Sequence, residues 1–135
     1  MDKVSTQTAS VIVTFQKKLL LLQRDYTPGI RDPGMWQLPG GGIEDGETPN
    51  DAIIRELQEE TSITPNTFNF LGEPYKGIYI YHAPLTKEEV AGIKKGSEGK
   101  DLKFFSLNEL SIIPLTQKLK YAFETQKNLF KSLLK

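Results

Sequence analysis

The sequence predicts an α/β (α+β) fold in which a mixed β-sheet is packed between helices. Three observations lead there: short β-branched runs at the start of the chain, one well-signalled helix in the middle, and a long amphipathic stretch at the end. At 135 residues the chain matches the common size of one domain, so residues 1–135 are expected to share a single core.

Taken in order, Ala9 to Phe15 is rich in β-branched residues and reads as a strand, and Leu19 to Gln23 continues it after the polar turn Gln16-Lys17-Lys18. Asp25 to Gly34 carries Pro28, Gly29, Pro33 and Gly34, which mark a loop. Met35 to Leu38 is a short apolar strand, ended by Pro39 and the triplet Gly40-Gly41-Gly42. A helix then begins with Thr48 as cap, Pro49 at its first position and Asp51 in its first turn, and it runs to about Thr61, before Pro65. Phe68 to Leu71, Gly77 to Ala83 and Leu102 to Ser106 are further strands, with a short helix or irregular loop over Thr86 to Lys95. Leu115, Leu119, Ala122, Leu129, Phe130 and Leu133 approximate helical spacing, so one final helix is expected over Leu115 to Leu134. No repeat, low-complexity tract or linker interrupts the series.

Composition excludes several classes. The 17 basic and 17 acidic residues cancel, which argues against a general nucleic-acid-binding surface. No apolar run approaches the roughly 18 residues that span a membrane, and Met1 to Gln7 lacks the pattern of a secretory signal. There is no cysteine, hence no disulfide, thiolate metal site or thiol nucleophile. A cytoplasmic location is the expectation.

Charge is unevenly spread. Between Glu44 and Glu60 lie 7 of the 17 carboxylates, with Arg55 as the only base. On a wheel of about 100° per residue starting at Ala52, Glu56 falls near 40°, Glu59 near 340° and Glu60 near 80°. Ile53, Leu57, Thr61 and Ile54 occupy roughly 100° to 200°, so the acidic arc is expected to point away from the core while being fixed by it. Such like charges cost a helix a few tenths of a kcal/mol per pair. A hard divalent cation reverses that repulsion, and Mg²⁺ favours oxygen ligands, a few carboxylates and substrate phosphates. The glycine triplet, Gly41 included, lets backbone approach a phosphate or a metal closely. It is not a P-loop, since no Gly-Lys-Ser/Thr follows. A solvated acidic helix face is the alternative reading of the same residues.

The order of these residues resembles the Nudix box: Gly41, five residues, Glu47, seven residues, then Arg55-Glu56-Leu57-Gln58-Glu59-Glu60-Thr61-Ser62-Ile63. One position departs from that pattern: Ser62 stands where the family usually has glycine, which bears on the helix end more than on the chemistry. Trp36-Gln37-Leu38-Pro39-Gly40 and Phe104 to Leu110 also resemble the family. The resemblance implies a Nudix-type α/β/α sandwich and Mg²⁺-dependent hydrolysis of a diphosphate linkage, with Mn²⁺ as a substitute metal. It implies that Glu56, Glu59 and Glu60 bind the metal and that Gly40 adds a carbonyl. One of the glutamates, or a distant carboxylate, would orient or deprotonate water. Arg55 would hold the box carboxylates, and Glu47 would anchor the loop or a metal-bound water. The distant carboxylate is Glu98, for which a solvated loop residue is the competing reading.

Other residues carry two readings each. Arg24 reaches a phosphate or base, or lies on the surface; Trp36 supports the core, or stacks on a base. Tyr79 and Tyr81 alternate with Ile78 and Ile80, so one pair faces the core and the other a cleft. His82 reads as structural or exposed. Lys94, Lys95 and Lys100 attract phosphates or are solvated, and Asp25 and Asp32 flank a loop that selects substrate. The compact length and single box resemble MutT-like members acting on a nucleoside triphosphate or an oxidised purine nucleotide such as 8-oxo-dGTP. Nucleotide sugars, ADP-ribose and dinucleoside polyphosphates are alternatives, as is a silent module that binds a nucleotide or protein. The expected partner is a small nucleotide, with no nucleic acid polymer or membrane. The family often forms homodimers, though nothing in the sequence marks an interface.

Overall fold

The structure, a computed structural model, describes residues 7–135; the reading of the N-terminal residues 1–6 lies outside them. Strands β1 (Thr8–Phe15) and β2 (Lys18–Gln23) form the expected hairpin. Phe15 pairs with Lys18 across a two-residue turn in which Gln16 and Lys17 both have positive φ, 49° and 66°. That geometry matches the right-handed twist of the flanking strands, here without the usual glycine or asparagine. The two strands then splay. The end of β2 takes β3 (Trp36–Gln37) as neighbour, whereas the start of β1 takes β4 (Gly40–Gly42). The glycine triplet, read from the sequence only as the end of the preceding strand, is thus a strand itself.

On its other edge β1 pairs in parallel with β6 (Ile78–Pro84), which is antiparallel to β5 (Asn69–Tyr75). β7 (Asp101–Ser106) runs antiparallel along β2, completing a mixed sheet of seven strands in the order β3-β2-β1-β6-β5, with β4 beside β1 and β7 beside β2.

Alternation along the strands divides the core. Val11, Val13, Leu20, Tyr81 and Ala83 face helix α1 (Pro49–Thr61), packing on Ala52, Ile53 and Leu57. Ile12, Leu19, Leu21, Trp36 and Phe105 face the opposite way, onto Leu119, Phe130 and Leu134. The architecture is therefore helix on sheet on helix, as expected. Two β6 questions resolve on these faces: Tyr79 and Tyr81 pack toward α1, and Ile80 lies on the other side.

The C-terminal stretch departs from the single helix expected. Leu115 pairs with Trp36 in an isolated bridge, and two helices follow, α3 (Gln117–Thr125) and α4 (Lys127–Leu133). The break falls at Gln126, with φ −120° and ψ 37°. Just before it, the Thr125 hydroxyl donates to the carbonyls of Tyr121 at 2.8 Å and Ala122 at 3.4 Å, a local bond that bends helices. Over Thr86 to Lys95 the structure has the helical alternative, α2 (Lys87–Ala91), with Thr86 and Glu89 forming a reciprocal cap. No helix among the described residues is long and apolar enough to cross a membrane.

Candidate active site

The site is built on α1. Its start is fixed by a capping box: Thr48 Oγ1 accepts from the Asp51 N–H at 3.1 Å and Asp51 Oδ2 accepts from the Thr48 N–H at 3.2 Å. Its end is a left-handed cap at Ser62, φ 67°, whose N–H donates to the Gln58 carbonyl. Between these caps the buried Ala52, Ile53, Leu57 and Thr61 hold the helix on the sheet and fix the direction of every acidic side chain.

Arg55 is the hub of the first half. Its Nε donates to Glu47 Oε2 at 2.7 Å and its Nη2 to Glu47 Oε1 at 3.0 Å, a two-pronged pair. Nη2 also donates to the Gly42 carbonyl at 3.1 Å, and Nη1 to Glu56 at 3.1 Å and Glu59 at 3.5 Å. The role expected of Arg55, holding the box carboxylates, matches these contacts, and Glu47 anchors the loop through the Glu44 N–H at 2.9 Å. Hydrogen bonds from Arg55, then from the Glu44 backbone, pull Glu47 down to about 2. Arg55 is itself pushed up, mainly by its bond to Glu47.

The second half has no base. The carboxylates do not share one solvated arc: Glu59 is 59% exposed, but the Glu56 side chain is 16% exposed and Glu60 as a whole only 7%. This corrects the wheel, which takes no account of what β4 places across from the helix. Glu60 Oε1 accepts from the Gly40 N–H at 2.9 Å. A Cβ on Gly41 would lie 2.5 Å from Glu56 Oε1, so its bareness makes room for that carboxylate. Burial, and then the like charges of Glu56, Glu98 and Glu59, raise Glu60 to about 8 against the single bond from Gly40. Burial likewise raises Glu56, partly offset by Arg55.

Glu56, Glu60 and Glu98 line one end of a cleft of about 740 Å³ between the sheet and α3–α4. Gly40 and Gly41 line it too, whereas Glu59 sits at its margin beside Arg55. The far end is apolar and aromatic, lined by Leu71, Tyr75, Ile80, Tyr121 and Leu129, with the Tyr75 and Tyr121 hydroxyls 2.7 Å apart. Ile78 and Ile80, not the tyrosines of β6, are the pair that faces this cleft.

Arg24 lines the cleft but is held in place, its Nε donating to the Arg31 carbonyl at 2.7 Å and Nη1 to Gln37 at 3.0 Å. Trp36 is buried edge-on to Phe105, and His82 bonds Thr14 Oγ1 at 2.8 Å, both as structural residues. Asp32 Oδ2 accepts from the Gln117 N–H at 3.2 Å, at the start of α3. Lys95 donates to the Gly96 and Gly99 carbonyls, and Lys100 lies over the Tyr26 ring. Several cleft residues carry no signal in the sequence, among them Tyr75, Lys118 and Tyr121. Lys118, which bonds Thr8 at 3.0 Å, reads in the sequence as one more helical lysine, and Tyr121 as one more surface aromatic.

Hard oxygen donors without a base are a donor set suited to a divalent cation, and a carboxyl lifted to about 8 is one that a cation would ionise. Among the described residues, no three carboxylates converge on one point as they stand. Glu56 and Glu60 are instead turned to Arg55 and Gly40.

The comparisons agree with this architecture. The family model described as the NUDIX domain matches residues 5–128. The ADP-ribose pyrophosphatase of Methanocaldococcus jannaschii is 31% identical over 112 residues, 73% of this chain and 60% of that protein. The 8-oxo-dGTP diphosphatase of Escherichia coli is 61% identical over 76 residues, 53% of this chain and 57% of that one. The match thus spans less than two thirds of either relative. Among solved structures, the MutT NUDIX hydrolase of Burkholderia pseudomallei superposes with a TM-score of 0.71 at 23% identity, covering 90% of this chain and 98% of that one. The NUDIX domain of Shewanella oneidensis NrtR, complexed with ADP ribose, gives 0.68 at 23% identity over 95% and 90%. With its box on a capped helix, its three-layer fold and a family match over nearly its whole length, the chain belongs to the Nudix family.

Proposed function

We propose that this chain, as one domain, is a Mg²⁺-dependent pyrophosphohydrolase that cleaves a diphosphate linkage in a small nucleotide: a nucleoside triphosphate or an oxidised purine nucleotide. One observation carries the reading: Glu56, Glu60 and Glu98 gather at one end of a cleft, with Arg55 reaching only Glu56 among them, and the other end is apolar and aromatic. A nucleotide has the same polarity, with its phosphates at one end and a flat ring at the other.

Glu56 and Glu60 would hold the metal from within the cleft, Glu59 from its margin, and Gly40 through its carbonyl. Bound there, the metal supplies charge neutralisation of the diphosphate oxygens and a more acidic water. The chain contributes the rest. Arg55 limits where Glu56 and Glu59 can stand by its hydrogen bonds to both. Glu98, hydrogen-bonded to no base among the described residues, takes the proton of the attacking water or orients it. Leu71, Tyr75 and Tyr121 exclude solvent from the ring. Mn²⁺ substitutes for Mg²⁺ in this reading, and the compartment is the cytoplasm.

The test is phosphate or pyrophosphate release, with Mg²⁺ and with Mn²⁺, across nucleoside triphosphates, oxidised purine nucleotides, nucleotide sugars, ADP-ribose and dinucleoside polyphosphates. Preference for a triphosphate supports the reading. Preference for ADP-ribose or a nucleotide sugar keeps the chemistry and replaces the leaving group. Silence across the panel overturns the hydrolase in favour of a binding module.

A further inference from the structure

The loop that carries Glu98 is fastened at both ends, and its fastening to α1 is unusually close. The last carbonyls of a helix lack partners within it. Here two of them are taken by this loop: the Lys94 N–H donates to the Thr61 carbonyl at 2.8 Å, and the Gly96 N–H to the Glu60 carbonyl at 3.2 Å. Ser62, in the cap itself, donates its hydroxyl to the Lys94 carbonyl at 2.7 Å. Gly96 passes so near the helix that a Cβ on it would collide with the backbone carbonyl oxygen of Glu59. Its φ is not positive, so space rather than conformation demands glycine there. Beyond Glu98, the Gly99 N–H donates to Asp25 Oδ2 at 3.2 Å and the Lys100 N–H to the Gln23 carbonyl at 2.8 Å. Glu98 is therefore suspended between the end of the acidic helix and the end of β2.

We infer that Gly96 and Ser62 are positioning residues that latch the Glu98 loop onto the C-terminus of α1 and so set where Glu98 stands against Glu56 and Glu60. The inference rests on the reading of Glu98 as a working carboxylate of the site. It gives the serine at this box position a task that glycine cannot perform, since only the side chain reaches Lys94. The backbone collision makes Gly96 the stronger half of the latch, because a backbone carbonyl in a helix cannot step aside as a flexible side chain does.

The experiment compares Gly96→Ala, Glu98→Gln and the double variant by kcat, KM, Mn²⁺ affinity without substrate, and Tm. Glu98→Gln should lower kcat by roughly tenfold or more. Gly96→Ala should match that loss within about threefold, alter KM by less than about twofold, and reproduce whatever Glu98→Gln does to Mn²⁺ affinity. The double variant should be no worse than the worse single, because the latch acts through Glu98. A full-strength Glu98→Gln enzyme overturns the reading beneath the latch and the latch with it. A Glu98→Gln defect with a normal Gly96→Ala enzyme, or losses that multiply in the double variant, overturns the latch alone. Ser62→Gly keeps the test decisive if Gly96→Ala does not fold. It removes the hydroxyl but relieves the left-handed backbone, so Tm should hold or rise while kcat falls by roughly two- to fivefold, and only when Glu98 is present. Unchanged kcat in Ser62→Gly, or a fall shared with the Glu98→Gln background, overturns the serine's part.

Discussion

The two halves of α1 use the same side chain to opposite ends. Near its N-terminal side, Glu47 lies in the fork of Arg55 and is held down to about 2. Near the C-terminal end of α1, Glu60 faces the cleft with only the Gly40 N–H for company and is pushed up to about 8. Neither carboxyl is unusual in itself; the arginine reaches one and not the other. Pairs of like groups driven apart in this way mark a division of labour. The paired half is scaffolding, which keeps its charge under all ordinary conditions. The unpaired half carries the chemistry, because its charge is unfavourable until a cation arrives.

The contrast breaks most visibly if the carboxylates that line the cleft are neutralised. Glu56→Gln and Glu60→Gln should each lower kcat by roughly 10²–10³-fold, with far-ultraviolet circular dichroism unchanged. Glu59→Gln should also depress turnover strongly, as a box carboxylate, but less than these two, because it stands outside the cleft. Equal turnover in Glu60→Gln and the unsubstituted enzyme would remove Glu60 from the site.

An intermediate effect is expected in the paired half. Arg55→Lys retains the charge but cannot fork onto both Glu47 oxygens while reaching Gly42 and Glu56. Activity should fall by roughly 10–100-fold and stability by about 1–2 kcal/mol, read by steady-state kinetics and urea unfolding. A lysine variant as active as the parent would mean that the fork does not organise the site.

The smallest effect sharpens the comparison by pH. A carboxyl whose pKa is raised on folding contributes stability below its unfolded value and loses that contribution as pH rises through its folded value. For Glu60 that interval runs from the ordinary 4.5 to about 8. His82, lowered by burial, gains stability in the opposite sense as pH rises through its usual 6.5, so the clean interval lies above pH 7. Metal-free protein should lose Tm between about pH 7 and 8.5, and Mg²⁺ should restore it more at the upper end. Glu60→Gln should flatten the slope. A slope that survives this substitution belongs to another group.

How much of this could be read in the sequence follows from the range of the interactions. The capping box, the strands and the i, i+3, i+4 placement of the glutamates depend on near neighbours, and Thr48, Asp51 and Glu56 to Glu60 announce them. What divides Glu60 from Glu59 does not. It depends on β4, which lies across from the helix only because β1 and β2 splay. For the same reason the glycine triplet reads only as the end of a strand, although Gly41 is itself a strand residue whose missing side chain accommodates Glu56. The break at Gln126 turns on one threonine hydroxyl against two carbonyls, too small a preference to outweigh an apolar pattern. Asp25 reads as a loop acid, and its bond to Gly99 bridges 74 positions.

Calorimetric titration of the metal-free protein with Mn²⁺ at pH 7, repeated in buffers of different ionisation enthalpy, tests the central claim most directly. The unpaired half should bind the ion with release of a proton, and Glu60→Gln should weaken binding at least roughly tenfold and abolish the release. Binding of equal strength in Glu60→Gln, or none in the unsubstituted protein, would contradict the assignment of Glu56, Glu59 and Glu60 as the carboxylates that hold the metal.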